Sequence, residues 1–240
     1  MTIKLLVLFL APFLSGLLIF LVPRGKQTNF KLLLVFAGAY LFAITVIHIL
    51  PELYTQSVGA SFIGLFVLAG FFLQQFLEYF TSGIEHGHLH GDHGHHDHHH
   101  HGHDHHHSHQ VSALVLLFAL CVHAFLEGGM LAQPTSGGPV YDVNAILLGI
   151  ALHRAPAAFA LMTVLTFQLG SRRKSLPHLI AFSIAAPAGL LLSTYLAEND
   201  ILSTTALVYV YALVCGNFLH ISTTIVFESS PEHRFSAKKL

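Results

Sequence analysis

Seven stretches of about 20 apolar residues alternate with short polar breaks, near 2–22, 30–50, 60–80, 111–132, 143–168, 176–197 and 201–227. At about 1.5 Å rise per residue, a helix of that length crosses a hydrocarbon core of about 30 Å. A helix also satisfies its own backbone where no water is present. The pattern therefore predicts an all-α, polytopic transmembrane bundle of seven helices. The first stretch outruns the apolar region of a signal peptide, which is about 7–15 residues. Pro23, Arg24, Gly25 and Lys26 follow it where small residues would mark a cleavage site, so we read it as a retained helix.

The polar breaks divide the chain. Residues 1–80 carry helices one to three, 81–110 form a loop, and 111–229 carry helices four to seven. Residues 230–240 read either as a basic tail or as the start of an eighth helix. Arg24, Lys26 and Lys31 follow helix one, Arg172, Arg173 and Lys174 follow helix five, and Arg234, Lys238 and Lys239 follow helix seven. The alternate loops hold Glu52, Asp142, Glu198 and Asp200, with no lysine or arginine. Lysine and arginine concentrate on the cytoplasmic side. The N-terminus is thus expected outside and the 81–110 loop in the cytoplasm, with Lys4 the one exception. The membrane would be a plasma membrane or a bacterial inner membrane.

Composition strengthens this picture. The chain is 53% hydrophobic and only 10% charged, against about 25% charged in a soluble domain. The expected partner of such a surface is the lipid bilayer, with no nucleic acid. Cys121 and Cys215 lie inside apolar runs and read as small buried thiols.

The most conspicuous chemistry lies in the loop. Residues 86–109 hold 15 of the chain's 21 histidines, mixed with glycine and aspartate. The densest part contains His95, His96, His98, His99, His100, His101, His103, His105, His106 and His107. Such a segment cannot form a packed core and is expected to be disordered. Its imidazoles offer many transient ligand combinations for zinc, copper, iron or nickel. An expression tag would be a uniform terminal run, whereas this tract is internal and mixed. We read it as cytoplasmic metal capture, which does not separate an importer from an exporter or a buffer.

Quieter residues constrain mechanism more. Helix four carries His123 and Glu127, and helix five carries His153 and Arg154, all at mid-depth. A charged residue at the bilayer centre costs at least about 2.5–3.5 kcal/mol, so it faces the bundle interior and marks a site or a pathway. His123 and Glu127 are four apart and share a helix face. With His153 they make three nitrogen and oxygen ligands of the kind zinc accepts, leaving a position for exchange. Gly128 and Gly129 on helix four and Ala157 and Ala158 on helix five are expected to let these two helices approach closely. Arg154 needs an anion, and Glu127 is the nearest candidate; a carboxylate can serve a guanidinium and a metal together. His48 and Glu52, near the outer end of helix two, suit an entry vestibule. Asn217, His220 and Glu228 on helix seven suit a polar pathway. Gln74, Gln75 and Glu78 read first as helix-end polar residues of helix three.

At these residues the chain resembles the ZIP (Zrt/Irt-like) family of divalent metal transporters. The resemblance rests on His48, Pro51 and Glu52 in helix two, the histidine-rich loop, and the His123-x-x-x-Glu127-Gly128 pattern in helix four. His153 and Pro156 in helix five, with Ser183, Pro187 and Gly189 in helix six, complete it. It implies eight helices, import of metal toward the cytoplasm, frequent dimerisation, and a site between helices four and five that is often binuclear. Ala124, Ala157 and Ala186 stand where the family often places ligands or acids of the second site. Arg154 stands where a second-site ligand is expected. The resemblance therefore implies a mononuclear site of His123, Glu127 and His153, with the guanidinium substituting for the second cation. Zinc is the expected ion, as transported cargo; Fe2+, Mn2+, Ni2+ and Cd2+ remain open by ligand softness. The chain reads as a transporter and not an enzyme. The competing readings are a transport-inactive metal sensor, a cation exporter and an intramembrane zinc hydrolase.

Overall fold

A computed structural model describes residues 1–22, 31–81, 113–132 and 141–228, and every regular element among them is helical. Helix α1 (Thr2–Leu17) ends in a tighter turn, Leu18–Phe20. Helix α2 (Lys31–Ile44) runs through a π-helical turn, Thr45–Ile49, into α3 (Leu50–Tyr54). Then follow α4 (Ala60–Thr81), α5 (Ala113–Gly129), α6 (Val143–Leu169), α7 (Arg172–Glu198) and α8 (Thr204–Glu228). Each of the seven expected helices has its counterpart, the second being α2, the π turn and α3 together. Six of these are long and apolar enough to cross a membrane, and α5 is shorter. The histidine tract and the 230–240 tail lie outside the described residues.

Two boundaries differ from the sequence expectation. The second helix continues past Pro51 to Tyr54. Pro51 has no N–H for the preceding turn, and the widened π turn just before it absorbs the missing bond. The sixth helix begins at Arg172 and so includes the basic residues that the hydropathy pattern had placed in a loop. Arg172 donates from Nη2 to the Val22 carbonyl at 2.8 Å and from Nη1 to the Phe20 carbonyl at 3.4 Å. The cation thus satisfies acceptors left open at the end of the first span. Asp142 caps α6 by accepting from the N–H groups of Asn144 and Ala145, and Gly170 ends it at φ +63°, a left-handed conformation that glycine adopts freely.

The helices sort into two bundles. Helices α1, α5, α6 and α7 pack on one another, chiefly as α5 on α7 and α1 on α6. Helices α2, α3, α4 and α8 form the second, chiefly as α4 on α8 and α2 on α8. Contact between the bundles is lighter and runs mainly through α2 with α6 and α4 with α5. The close approach expected of Gly128 is found, but on a different neighbour. A Cβ on Gly128 would lie 1.9 Å from the Ala186 carbonyl oxygen, and one on Gly189 would lie 1.9 Å from the Phe125 oxygen. The glycine seam therefore joins α5 to α7 and not to α6. Small residues let the two backbones touch, and the second partner is Gly189, which lies far along the chain.

Candidate metal centre

Glu127 is fully buried in the last turn of α5, one residue before the seam glycine, with His123 one turn earlier at 2% exposure. His153 and Arg154 follow one another in α6 at 5% and 1% exposure. The packing of α5 and α6 with α7 brings His153 to the α5 pair. His123 Nε2 lies 3.1 Å from Glu127 Oε1, His153 Nε2 lies 3.0 Å from the same oxygen, and the two Nε2 atoms are 3.3 Å apart. Ligand atoms held at about 2.0–2.1 Å around a tetrahedral zinc are spaced about 3.3–3.4 Å from one another. The three atoms thus approximate one face of such a tetrahedron and leave its fourth corner open. Among the described residues this is the cluster of three ligand-type side chains close enough to share one ion.

Arg154 was expected to pair with Glu127, and the structure gives it stronger partners. Its Nε is 4.0 Å from Glu127 Oε2, a long approach for an ion pair. Its shorter bonds are Nη2 to the Phe182 carbonyl of α7, at 2.9 Å, and Nη1 to the Leu8 carbonyl of α1, at 3.3 Å. The guanidinium carbon also sits 4.7 Å from the centroid of the Phe182 ring, within cation–π range. The carboxylate is left with Oε1 facing the imidazoles and Oε2 facing the cation.

A small cavity adjoins the site. His123, His153, Arg154 and Phe182 line it together with Ile221 and Ile225 of α8. Leu120 and Ala157 also line it, each one turn from a ligand toward the end where α4 stops and α5 begins. At the opposite end, Tyr211 of α8 donates to the Ala132 carbonyl just beyond α5. Tyr40 of α2 donates to the Ala145 carbonyl of α6 at 3.1 Å. Both hydroxyls tie one bundle to the other.

The remaining sequence candidates are placed unevenly. His48 is exposed within the π turn, and Glu52 is half-buried, accepting from Thr55 and Gln56. Asn217 is buried in α8, and its amide has no hydrogen-bond partner among the described residues. His220 is bonded to Glu78 of α4 and lies edge-on to Phe71. The side chain of Glu228 lies outside the described residues. Sequence reasoning set Glu78 aside as a helix-end acid, because nothing in one strand of sequence shows that α4 and α8 pack together. It also passed over Pro12 and Leu8. The available signal was a proline inside an apolar helix, which always leaves one carbonyl without its helical donor.

The helix bundle buries two histidines and a glutamate around one point, a donor set that could hold a metal ion. The model of the ZIP zinc transporters matches residues 1–239, and the chain belongs to that family. It is similar to the zinc transporter ZIP9 of Micropogonias undulatus, 31% identical over 122 residues, which is 48% of this chain and 38% of the relative. The ZIP9 of Xenopus tropicalis is 32% identical over 120 residues, 48% of this chain and 39% of the relative. That of Macaca fascicularis is 32% identical over 114 residues, 45% of this chain and 47% of the relative. The matched part thus covers less than half the length of these curated relatives. No solved structure matches the chain.

Proposed function

We propose that the chain transports a divalent metal, with zinc the favoured ion, across the membrane into the cytoplasm. The observation that carries this reading is the convergence of His123 Nε2, Glu127 Oε1 and His153 Nε2 within one buried point. Family membership and the ZIP9 relatives support zinc as cargo. Without metal, an imidazole N–H on each histidine can donate to Glu127. To ligate through Nε2, each imidazole must be neutral with its remaining proton on Nδ1, so a protonated ring gives up a proton as metal enters.

Charge on the loops supports the direction. Arg172, Arg173 and Lys174 sit at the end of the bundle where α4 stops and α5 begins, which the positive-inside tendency assigns to the cytoplasm. The cavity beside the triad lies on that side, and the tyrosine bonds lie on the other. This arrangement supports a state closed to the outside and poised toward the cytoplasm. All three ligands belong to the bundle of α1, α5, α6 and α7, whereas α8 contributes only an isoleucine wall. The metal can then be carried by one bundle moving against the other without exchanging its ligands on the way. Glu52 and His48 lie at the outer end and suit capture. The histidine tract suits receipt on the cytoplasmic side, and Glu78 with His220 suits the exit route between them. A homodimer within the bilayer is part of the same proposal.

Arg154 makes the site mononuclear in this reading, since its permanent charge stands next to Glu127 Oε2 where a second cation would be repelled. The presence of that charge also favours one second reading, a metal sensor that binds without transport. Zinc uptake into proteoliposomes across a panel of divalent ions separates the two. We expect sustained, saturable uptake, lost in His123→Ala, Glu127→Ala and His153→Ala. Normal uptake in all three variants overturns the site, and tight binding without flux selects the sensor.

A further inference from the structure

Pro12 lies inside α1, four residues after Leu8. Proline has no N–H, so the Leu8 carbonyl is left without its helical donor. Within a membrane bundle such a carbonyl must find another. Leu8 is 1% exposed, and its donor is Arg154, also 1% exposed, through Nη1 at 3.3 Å. On the other side, Nη2 is held by the Phe182 carbonyl at 2.9 Å. The guanidinium is therefore stretched between α1 and α7, and its Nε stays 4.0 Å from Glu127 Oε2.

The alternative arrangement shows why this matters. A guanidinium with only a carboxylate nearby forms a two-bonded fork that engages both oxygens. Such a fork on Glu127 would compete for Oε1, the oxygen that faces His123 and His153 at 3.1 and 3.0 Å. We infer that Pro12 is a positioning residue of the metal site: the Leu8 carbonyl it frees holds Arg154 off Glu127 and keeps Oε1 available for metal. Helix α1, which supplies no ligand, thereby sets the affinity of the site. This rests on the metal-site reading above and adds to it an element that no ligand pattern contains.

Zinc titration of the full chain in detergent, with thermal melting of the same samples, tests the inference. Pro12→Ala restores an N–H to the Leu8 carbonyl and removes two ring methylenes from a buried position of α1. We expect zinc affinity to fall about tenfold while the melting temperature holds, because the bond the helix gains offsets the lost packing. In an Arg154→Gln background, which has no charge to collapse onto Glu127, Pro12→Ala should change affinity less than about twofold. Unchanged affinity in the single variant overturns the inference. An equal loss in both backgrounds also overturns it, since α1 distortion alone would then be the cause. Glu127→Gln serves as the control: if the zinc-binding phase that His123→Ala removes, distinct from binding by the histidine tract, survives it, the metal-site reading fails, and this inference falls with it.

Discussion

In the bundle of α1, α5, α6 and α7, reciprocal glycines at 128 and 189 press α5 against α7, and the buried space beside them holds His123, Glu127, His153 and Arg154. In the bundle of α2, α3, α4 and α8, Gly70 meets the Leu213 carbonyl and Gly216 meets the Val67 carbonyl, so α4 lies against α8 by the same device. There the polar groups include a part-buried Glu78–His220 pair, with the Phe71 ring edge-on to His220, and the separate buried side chains of Gln74 and Asn217. Close backbone packing is thus common to both halves, and ligand convergence is confined to one. The difference teaches that the seam sets which helices touch, while the polar residues decide where donor atoms converge.

The largest effect should come from removing the shared ligand oxygen. Glu127→Ala leaves two imidazoles and a buried guanidinium without their anion, a loss of the order that costs about 3–5 kcal/mol when one partner of a buried pair is removed. Zinc uptake is expected to vanish, zinc binding to fall to what the histidine tract alone retains, and the folded yield to drop. Retained uptake in Glu127→Ala would move the cargo out of this bundle.

The seams come next. A Cβ at Gly128 or Gly70 would lie within 1.9 Å of a facing carbonyl oxygen in either bundle, so the backbones must separate. Gly128→Ala should weaken zinc affinity at least about tenfold, because Glu127 is its neighbour and 1.4 kcal/mol of misplacement is tenfold. Gly70→Ala should lower stability by a similar amount and leave the affinity of the folded fraction intact. Equal affinity losses would erase the distinction between a cargo bundle and a supporting one.

Proton competition should weaken zinc binding at the buried triad. Two imidazoles must be neutral to ligate, so zinc affinity measured at about pH 7.5 and about pH 5.5 should fall by tenfold or more toward acid. A flat profile would mean that the histidines do not ligate.

The smallest effect concerns the link between bundles. Tyr211→Phe removes the hydroxyl that binds the Ala132 carbonyl, a bond worth about 0.5–1.5 kcal/mol. Uptake rate should change about two- to tenfold with zinc affinity unaltered, and Tyr40→Phe should do the same more weakly. A parallel shift in affinity would show that the two bundles do not behave as separate bodies.

Much of this was legible in the chain. The apolar runs located all seven spans because membrane helices must be long and continuous to hide their backbone. His123, Glu127, His153 and Arg154 stood out because charge at mid-depth is costly and seldom idle. Helix α7 could not be started correctly, since Arg172 reads as a loop residue until the end of α1 supplies its acceptors. The role of Lys4 was hidden for the same reason, as it donates to the Leu131 carbonyl beyond α5.

What the sequence determined by itself is the kind of solvent this protein needs, where the helices of the described residues run and which side chains are of a type that can ligate metal. Those follow from hydropathy and from donor chemistry, which are properties of residues taken singly or along one helix. Only the tertiary structure decided that α5 closes on α7 and that one oxygen of Glu127 serves both imidazoles. It alone assigned Arg154 to carbonyls of α1 and α7 in preference to the carboxylate. These depend on which helices touch, and a carbonyl freed by Pro12 acquires a meaning only when a cation from another helix reaches it.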